Sequence, residues 1–462
     1  MKIIYFHPHL TTDGGAGRMV LETAQRLIRR GHTVHVVCIR ADAAIVGAVK
    51  GQIQFHQIGG PLSSSIWFWL RYDRSCRRVL KSVERILATL KDEPTVLFPQ
   101  VFPANWWGAH VARRRPELAS VWYCQEPSAF IHSSDWKRSL PWPKNWMAGL
   151  LSPILAILDR HFCKRFRRVL VNSEFSGGCV QRVYGFSDQE CRVVYLGVDH
   201  ERFRKDRPPV RAEMTLDGDP SCRKGLPPSA DQFEVEGKNP ADSEQLHAHG
   251  SQQAAKSCSA GRTCIDGAVL RVTTIAKLTR FKNVDTIIRA IAELVKRGLQ
   301  DVQLQIVGTG DSIPFLHTVA AQCGVEYNVV FRGRLTDNEI VDALKQSRVF
   351  CLASVDEPFG LVVVESLACG TPVVAVNSGG PKEILQGLSC GRLFEPQNVQ
   401  ALADALEHFL TGDLASLEEF STAAVERAAH FNWDTTVDAL EHEFQAALAV
   451  AAPSIAGRLV RG

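Results

Sequence analysis

No apolar run in this 462-residue chain is long enough to cross a bilayer. The longest beside a helix, "MAGLLSPILAIL" at residues 147–158, falls short of the roughly 20 residues a span needs, and it contains Pro153. The opening "MKIIYFHPHL" holds only four or five consecutive apolar residues and no cleavage site, so it reads as a first strand and not as a secretion signal. The 13 cysteines include no C-x-x-C pair, their number is odd, and Cys38, Cys351 and Cys369 sit inside apolar runs. That usage fits small buried thiols in a reducing cytoplasm and argues against a zinc site. No short-period repeat is visible, and no cluster of carboxylates is spaced to demand a metal.

What is present is globular. Hydrophobic residues make up 45% of the chain and charged residues 22%, which excludes disordered and fibrous classes. The length favours two or three domains. The net charge of +4 conceals an imbalance: residues 1–205 carry 30 Lys and Arg against 16 Asp and Glu, which leaves the remainder at −10. A basic half meets anionic membrane, a phosphorylated substrate or nucleic acid, or is simply a solvated face.

The chain opens as strand, turn, helix, strand. "KIIYF" is the strand and "TTDGGAG" the glycine-rich turn. "RMVLETAQRLIRRG" aligns Val20, Ala24, Leu27 and Ile28 on one helical face and stops at Gly31, and "TVHVVCI" is the next strand. This is a βαβ unit of a parallel sheet. Residues 206–266 are poor in aliphatics and rich in Pro, Gly, Ser and Asp, and they have no period. Such a segment buries too little apolar surface to offset its ordering entropy, and it reads as a loosely ordered insertion between domains. Alternation then resumes, with strands at "VLRVTTIA", "VQLQIVG", "NVVFRG", "VFCLAS" and "PVVAV" and helices between them. The expected architecture is α/β, with two Rossmann-like, doubly wound parallel-sheet domains facing across a cleft. They cover residues 1–205 and 267–430, and an amphipathic helix at 431–450 packs back across both.

"EPFGLVVVESLACGTPVVAV", residues 357–376, carries the chemistry. Glu357 follows the strand "VFCLAS", Gly360 opens a helix, and Glu365 lies just over one turn of about 3.6 residues into it. Ligands of open parallel sheets bind outside the carboxyl ends of the strands. The amides of Phe359, Gly360 and Leu361 at the helix start suit anions and hydroxyls, and the two carboxylates suit diols. The blander alternative, a loop acid and a surface charge, sits poorly with a Glu365 embedded in "LVVVESLAC", because a buried carboxylate needs a partner. In "IAKLTRFKN", Lys277 and Lys282 are two cations at a strand end that could hold a pyrophosphate. "VGTGDS" and "NSGGPKE" add glycine turns (Gly308, Gly310, Gly379, Gly380) through which backbone amides approach phosphate or sugar.

Taken together, these motifs resemble the retaining nucleotide-sugar glycosyltransferases of family 4, which have the two-Rossmann GT-B fold. "GGAGRMVLETAQRLIRRGHTVHVV" and "RVVYLGVDHERF" extend the likeness into the first half of the chain. The resemblance implies that Glu365 accepts the ribose hydroxyls and that Glu357, with the 359–361 amides, holds the transferred sugar. Lys277 and Lys282 would neutralise the donor diphosphate, Gly15 would approach it from the other domain, and Arg332 would lie beside the base. The family pattern has Gly-Arg where this chain has Ala276-Lys277, and a Glu where it has Gly17. A point charge thus replaces a bidentate fork. Relatives with a His at an acceptor-side strand end are matched here by "SVWYCQEPSAFIH", where Gln125 and Glu126 are the expected acceptor-binding residues and His132 an ordinary loop histidine.

The resemblance implies no metal and no cofactor. Hexose transfer from a GDP- or UDP-sugar to a glycan or lipid-linked acceptor is the expected activity. The opening "FHPHLTTDGGAGR" faintly resembles lipid-linked mannosyltransferases, which makes mannose the first sugar to consider. "PLSSSIWFWLRY" and "DWKRSLPWPKNWMAGLLSPILAIL", each followed by clustered basic residues, combine Trp, Leu and charge as an interfacial helix does. A peripheral contact of the first domain with the cytoplasmic membrane face is therefore expected, beside the plainer reading of core plus basic surface. No nucleic-acid partner is expected. A GT-B epimerase, a phosphorylase and a non-catalytic sugar-binding subunit are the competing classes. The paired glutamates argue against the first and third, and the lack of a pyridoxal-lysine signal argues against the second.

Overall fold

The computed structural model describes residues 1–206 and 270–459, apart from 12, 13, 50, 64, 90–92, 134–136, 138–141 and 143. The expected 206–266 insertion therefore lies, but for its first residue, outside the described residues.

In the first half the strands are β1 (Lys2–Phe6), β2 (His9–Leu10), β3 (Thr33–Cys38), β4 (Arg40–Ala41), β5 (Gln54–Gln57), β6 (Thr95–Pro99), β7 (Ala119–Cys124), β8 (Arg168–Val171) and β9 (Cys191–Val193). In the second half they are β10 (Leu270–Ile275), β11 (Val302–Val307), β12 (Val329–Gly333), β13 (Val349–Leu352), β14 (Val373–Val376) and β15 (Gly391–Phe394). Seven of them form one sheet in the order β5-β3-β1-β6-β7-β8-β9, and six form a second in the order β12-β11-β10-β13-β14-β15. Every pairing is parallel, with Ile3 beside Val34 and Val96, and Val272 beside Leu304 and Val349. β2 and β4 form a separate two-residue pair. β1, β6, β13 and β14 are buried at every position, as expected of strands covered by helices on both faces.

The helices follow their apolar periodicity. Gly15–Arg29 buries Met19, Val20, Ala24 and Leu27, while Ile28 is only half-buried. Asp337–Lys345 starts at a capping box in which Thr336 and Glu339 exchange hydrogen bonds. The last helix, Trp433–Leu459, returns to the first half and packs on β6, β7 and the Gly15–Arg29 helix. Phe444 meets Phe98 edge-on at 4.8 Å, Thr436 donates to the Tyr195 carbonyl at 2.8 Å, and Arg168 pairs with Glu443. At the crossover, a Cβ on Gly197 would lie 2.1 Å from the Trp433 nitrogen, so no larger residue fits there. The return helix thus anchors on the first sheet.

Candidate active site

The loop after β13 holds the first carboxylate. Asp356 adopts φ 53° and Gly360 φ 88°, so the chain turns sharply on either side of Glu357 and Pro358. The Leu361–Ala368 helix then starts, and the amides of Phe359, Gly360 and Leu361 have no acceptor among the described residues. The neighbouring loop, after β10, brings Lys282 Nζ to 2.6 Å from Glu357 Oε2. Lys277, in the same loop, is exposed and pairs with no carboxylate among the described residues.

Glycines let these loops interlock. A Cβ on Gly308 would fall 1.9 Å from the Ala276 carbonyl oxygen, and one on Gly310 would fall 2.1 Å from that of Leu278. On Gly379 it would meet the Glu357 oxygen at 2.4 Å, and on Gly380 the Phe359 Cα at 2.5 Å. Both glycine pairs, read from the sequence as openings toward a ligand, are required first for backbone packing that fixes the Lys277–Lys282 and Glu357–Gly360 loops. The amide of Gly380 also donates to the Glu357 carbonyl at 2.9 Å.

The opposite wall comes from the carboxyl ends of the first sheet. Glu126, after β7, has an exposed side chain, and Glu357 and Lys282 of the other half lie close enough to act on its charge. Packing of the surrounding protein around the carboxylate, with the nearby Glu357, raises its pKa, and Lys282 opposes the rise. Glu126, Glu357 and Lys282 therefore share one cleft. Four adjacent strands, β1, β6, β7 and β8, are followed directly by His7, Gln100, Gln125 and Asn172. Each carries a buried side-chain polar atom with no hydrogen-bond partner among the described residues: both ring nitrogens of His7, Gln100 Oε1, Gln125 Nε2 and Asn172 Oδ1. Burial, with His9 nearby, pushes the His7 pKa down to about 4 and keeps the ring neutral. Unpartnered buried polar groups are costly and stand ready for a ligand or water. His7, Gln100 and Asn172 were not singled out in the sequence. The signal was there, in a polar residue closing each continuous apolar strand ("IIYFH", "VLFPQ", "VLVN").

Two further links join the halves. Ser176 Oγ donates to the Gln125 carbonyl at 3.0 Å and lies 3.4 Å from that of Pro358, while Ser173 Oγ reaches the Pro358 carbonyl at 2.5 Å. Glu383, on the Gly379–Leu385 helix, accepts from the amides of Glu174 at 3.0 Å and Phe175 at 2.6 Å, capping the Glu174–Tyr184 helix of the other half. Burial raises the Glu383 pKa, and those amides oppose the rise. His132 is no free loop side chain. Its Nε2 lies 2.8 Å from Asp159, a fully buried carboxylate that also accepts from Tyr184 at 2.7 Å and Trp106 at 2.6 Å.

Glu365 is buried as the sequence implied, and its partner is Arg18, at the start of the Gly15–Arg29 helix. Arg18 also bonds Asp337 at 3.0 Å, and Asp337 pairs with Arg202. Burial raises the Glu365 pKa, and Arg18 opposes it. One turn earlier, a Cβ on Gly15 would lie 3.0 Å from Leu361 Cδ1, so two expected donor-side residues touch across the cleft. Arg332 stands apart on the edge strand β12, where its charged neighbours are Arg271 and Glu339.

Comparison with known proteins places this geometry. The family model described as Glycosyltransferase Family 4 matches residues 13–202, and that of Glycosyl transferases group 1 matches residues 266–429. A D-inositol 3-phosphate glycosyltransferase of Mycobacterium leprae is 30% identical over 462 residues, covering 96% of this chain and 90% of that protein. The chain belongs to glycosyltransferase family 4. A Corynebacterium aurimucosum protein of the same name is 33% identical over 198 residues, 41% of this family 4 chain and only 46% of the relative. The chain thus spans less than half the length of the first relatives it matches. The GT-B architecture is shared with sucrose-phosphate synthase of Thermosynechococcus elongatus (TM-score 0.67, 16% identity, 97% of this chain and 99% of that one). It is shared equally with Anabaena HepE, solved with UDP and glucose (TM-score 0.65, 18% identity, 96% and 99%). Among the described residues no group of three or more His, Cys, Asp or Glu could hold a metal ion.

Proposed function

We propose that this family 4 protein is a retaining hexosyltransferase that moves a sugar from a nucleotide-sugar donor to a glycan or lipid-linked acceptor. Residues 267–430 hold the donor, residues 1–205 hold the acceptor, and the helix after residue 431 ties the two. The observation that carries the reading is the meeting of Lys282, Glu357 and Glu126 in one cleft, beside the unpaired amides of Phe359–Leu361.

In this reading Glu357 accepts hydrogen bonds from the sugar's hydroxyls. Lys282, Lys277 and the helix amides face the diphosphate, where negative charge grows as the glycosidic bond breaks. Preorganised charge of this kind is usually the largest single contribution to such a barrier. Glu365 takes the ribose hydroxyls, with Arg18 shared or displaced, and Arg332 lies beside the base. Gln125 and Glu126, with the orphaned polar groups of His7, Gln100 and Asn172, orient an acceptor hydroxyl. The acceptor's proton passes to the leaving phosphate oxygen, on the same face as the departing group, and the configuration at the anomeric carbon is retained. Mannose is the first sugar to test. Uridine and guanosine are the bases to test, and a structural neighbour solved with UDP supports the inclusion of uridine. The protein is proposed to act in the cytoplasm, at the membrane face.

Calorimetric titration with UDP-, GDP- and ADP-sugars, with Glu365→Ala as control, tests the donor site. Binding of one nucleotide series that is lost in the variant is the expected result. Failure of the folded protein to bind any of them would overturn the reading in favour of a subunit without donor chemistry.

A further inference from the structure

The Lys144–Cys163 helix is inverted relative to an ordinary surface helix. Its inner face carries Ser152 and Asp159, which hydrogen-bond within the fold, together with Ala148 and Cys163. Its outer face carries Trp146 (65% exposed), Leu150 (62%), Ile154 (60%) and Ile157 (69%), with Met147, Leu151 and Leu158 beside them. Residues 145–158 contain no charged side chain. Single exposed apolar residues are commonplace, but a contiguous stripe running several turns along a helix marks an interaction surface.

Charge and neighbourhood say what covers it. Beyond the apolar stripe the chain becomes cationic and exposed at Arg160, Lys164 and Arg167. A second exposed apolar set, Trp67 and Leu70 on the short helix Ile66–Leu70, is followed by exposed Arg71, Arg74, Arg77 and Arg78. The two sets adjoin through aromatic contacts. Trp69 meets Trp106 at 6.2 Å, and Trp106 meets Phe162 of the long helix at 5.1 Å. Trp at the margin, aliphatics in the middle and Arg or Lys alongside match the layered chemistry of a lipid interface. Two copies of the chain packed on this face would bring two arginine sets together, which anionic headgroups do not. Among the described residues no helix is long and apolar enough to cross a membrane, so a helix lying in the interface is the geometry available.

We infer that the outer face of the Lys144–Cys163 helix, with Trp67 and Leu70, docks the protein on an anionic phospholipid surface. The inference refines the membrane-face part of the proposed function, and it stands or falls without reference to nucleotide-sugar binding. Docking there would hold the acceptor-side cleft, whose Gln125–His132 loop is fastened to this helix through Asp159, at the depth of lipid headgroups.

The test is flotation of the full chain with phosphatidylcholine vesicles containing about one-third phosphatidylglycerol, against pure phosphatidylcholine. The variant is Trp146→Ser/Leu150→Ser/Ile154→Ser, whose substitutions are all exposed and should leave the melting temperature unchanged. The expected result is binding to the anionic vesicles that weakens with salt and falls about tenfold or more in the variant. Three outcomes would overturn the inference. One is absence of flotation with either vesicle. Another is equal flotation of wild type and variant. The third is a concentration-dependent dimer of the wild type, abolished in the variant, which would assign the face to a second copy.

Discussion

Lys282 Nζ and Glu357 Oε2 lie 2.6 Å apart although 75 residues separate them in the chain. The family resemblance implies a separate role for each, one on the diphosphate and one on the sugar, and the fold joins them at the ends of the adjacent strands β10 and β13. The pair holds both side chains in place, so in the proposed reading they need little reorganisation when a donor arrives.

Lys282→Met should reduce kcat by on the order of 100- to 1,000-fold while the protein stays folded, since in the proposed reading it removes a cation aimed at developing charge. Steady-state kinetics with the nucleotide sugar that binds will show it. Unchanged turnover would remove Lys282 from the reaction.

Arg18→Met leaves the Glu365 carboxylate buried and unpaired, which should cost about 3 kcal/mol of stability at neutral pH. Without Arg18, Arg202 still opposes the burial that raises the Glu365 pKa, but the charge in direct contact with the carboxylate is gone. A carboxyl group with a raised folded pKa binds protons more readily folded than unfolded, so the deficit should shrink as pH falls through that folded pKa. Urea unfolding of both proteins at two pH values checks the sign.

Ser176→Ala removes the hydroxyl bonded to Gln125 and close to Pro358, at a cost of about 0.5–1.5 kcal/mol. Because it touches the acceptor loop and the donor loop only through their backbones, nucleotide affinity should persist while the acceptor KM rises. Calorimetry and acceptor kinetics together separate this from a general loss of fold.

His7 is held neutral, with its pKa pushed from 6.5 down to about 4. Between those values the unfolded chain takes up a proton that the folded one refuses, so stability falls as the solution is acidified. The slope is about 1.4 kcal/mol per pH unit for one such group. His7→Asn should flatten the stability profile over that window, as measured by denaturant midpoints.

Gly380→Ala places a methyl group 2.5 Å from the Phe359 Cα. Relief requires the 357–360 loop to move, which would misplace the amides at the helix start. The expected outcome is a destabilisation of about 1–3 kcal/mol together with weaker nucleotide-sugar binding. Gly149→Ala, where nothing lies within 4 Å, should do neither.

Most strands, and the two glutamates of the candidate site, are legible in the residues alone. Continuous apolar runs such as "VVAV" and "KIIYF" are legible as strands because parallel strands are buried on both faces. Glu357 and Glu365 are legible because their spacing brackets a helix start. The Arg18 partner of Glu365, the Ser176 bridge and the cap that Glu383 places on the Glu174–Tyr184 helix were decided by tertiary structure. Each joins residues more than 50 positions apart, where no local period operates. The same holds for the Lys144–Cys163 helix. Its apolar content was visible in the sequence, but which face turned outward was settled by Asp159, whose need for Tyr184, Trp106 and His132 in the interior left leucine and isoleucine to the surface.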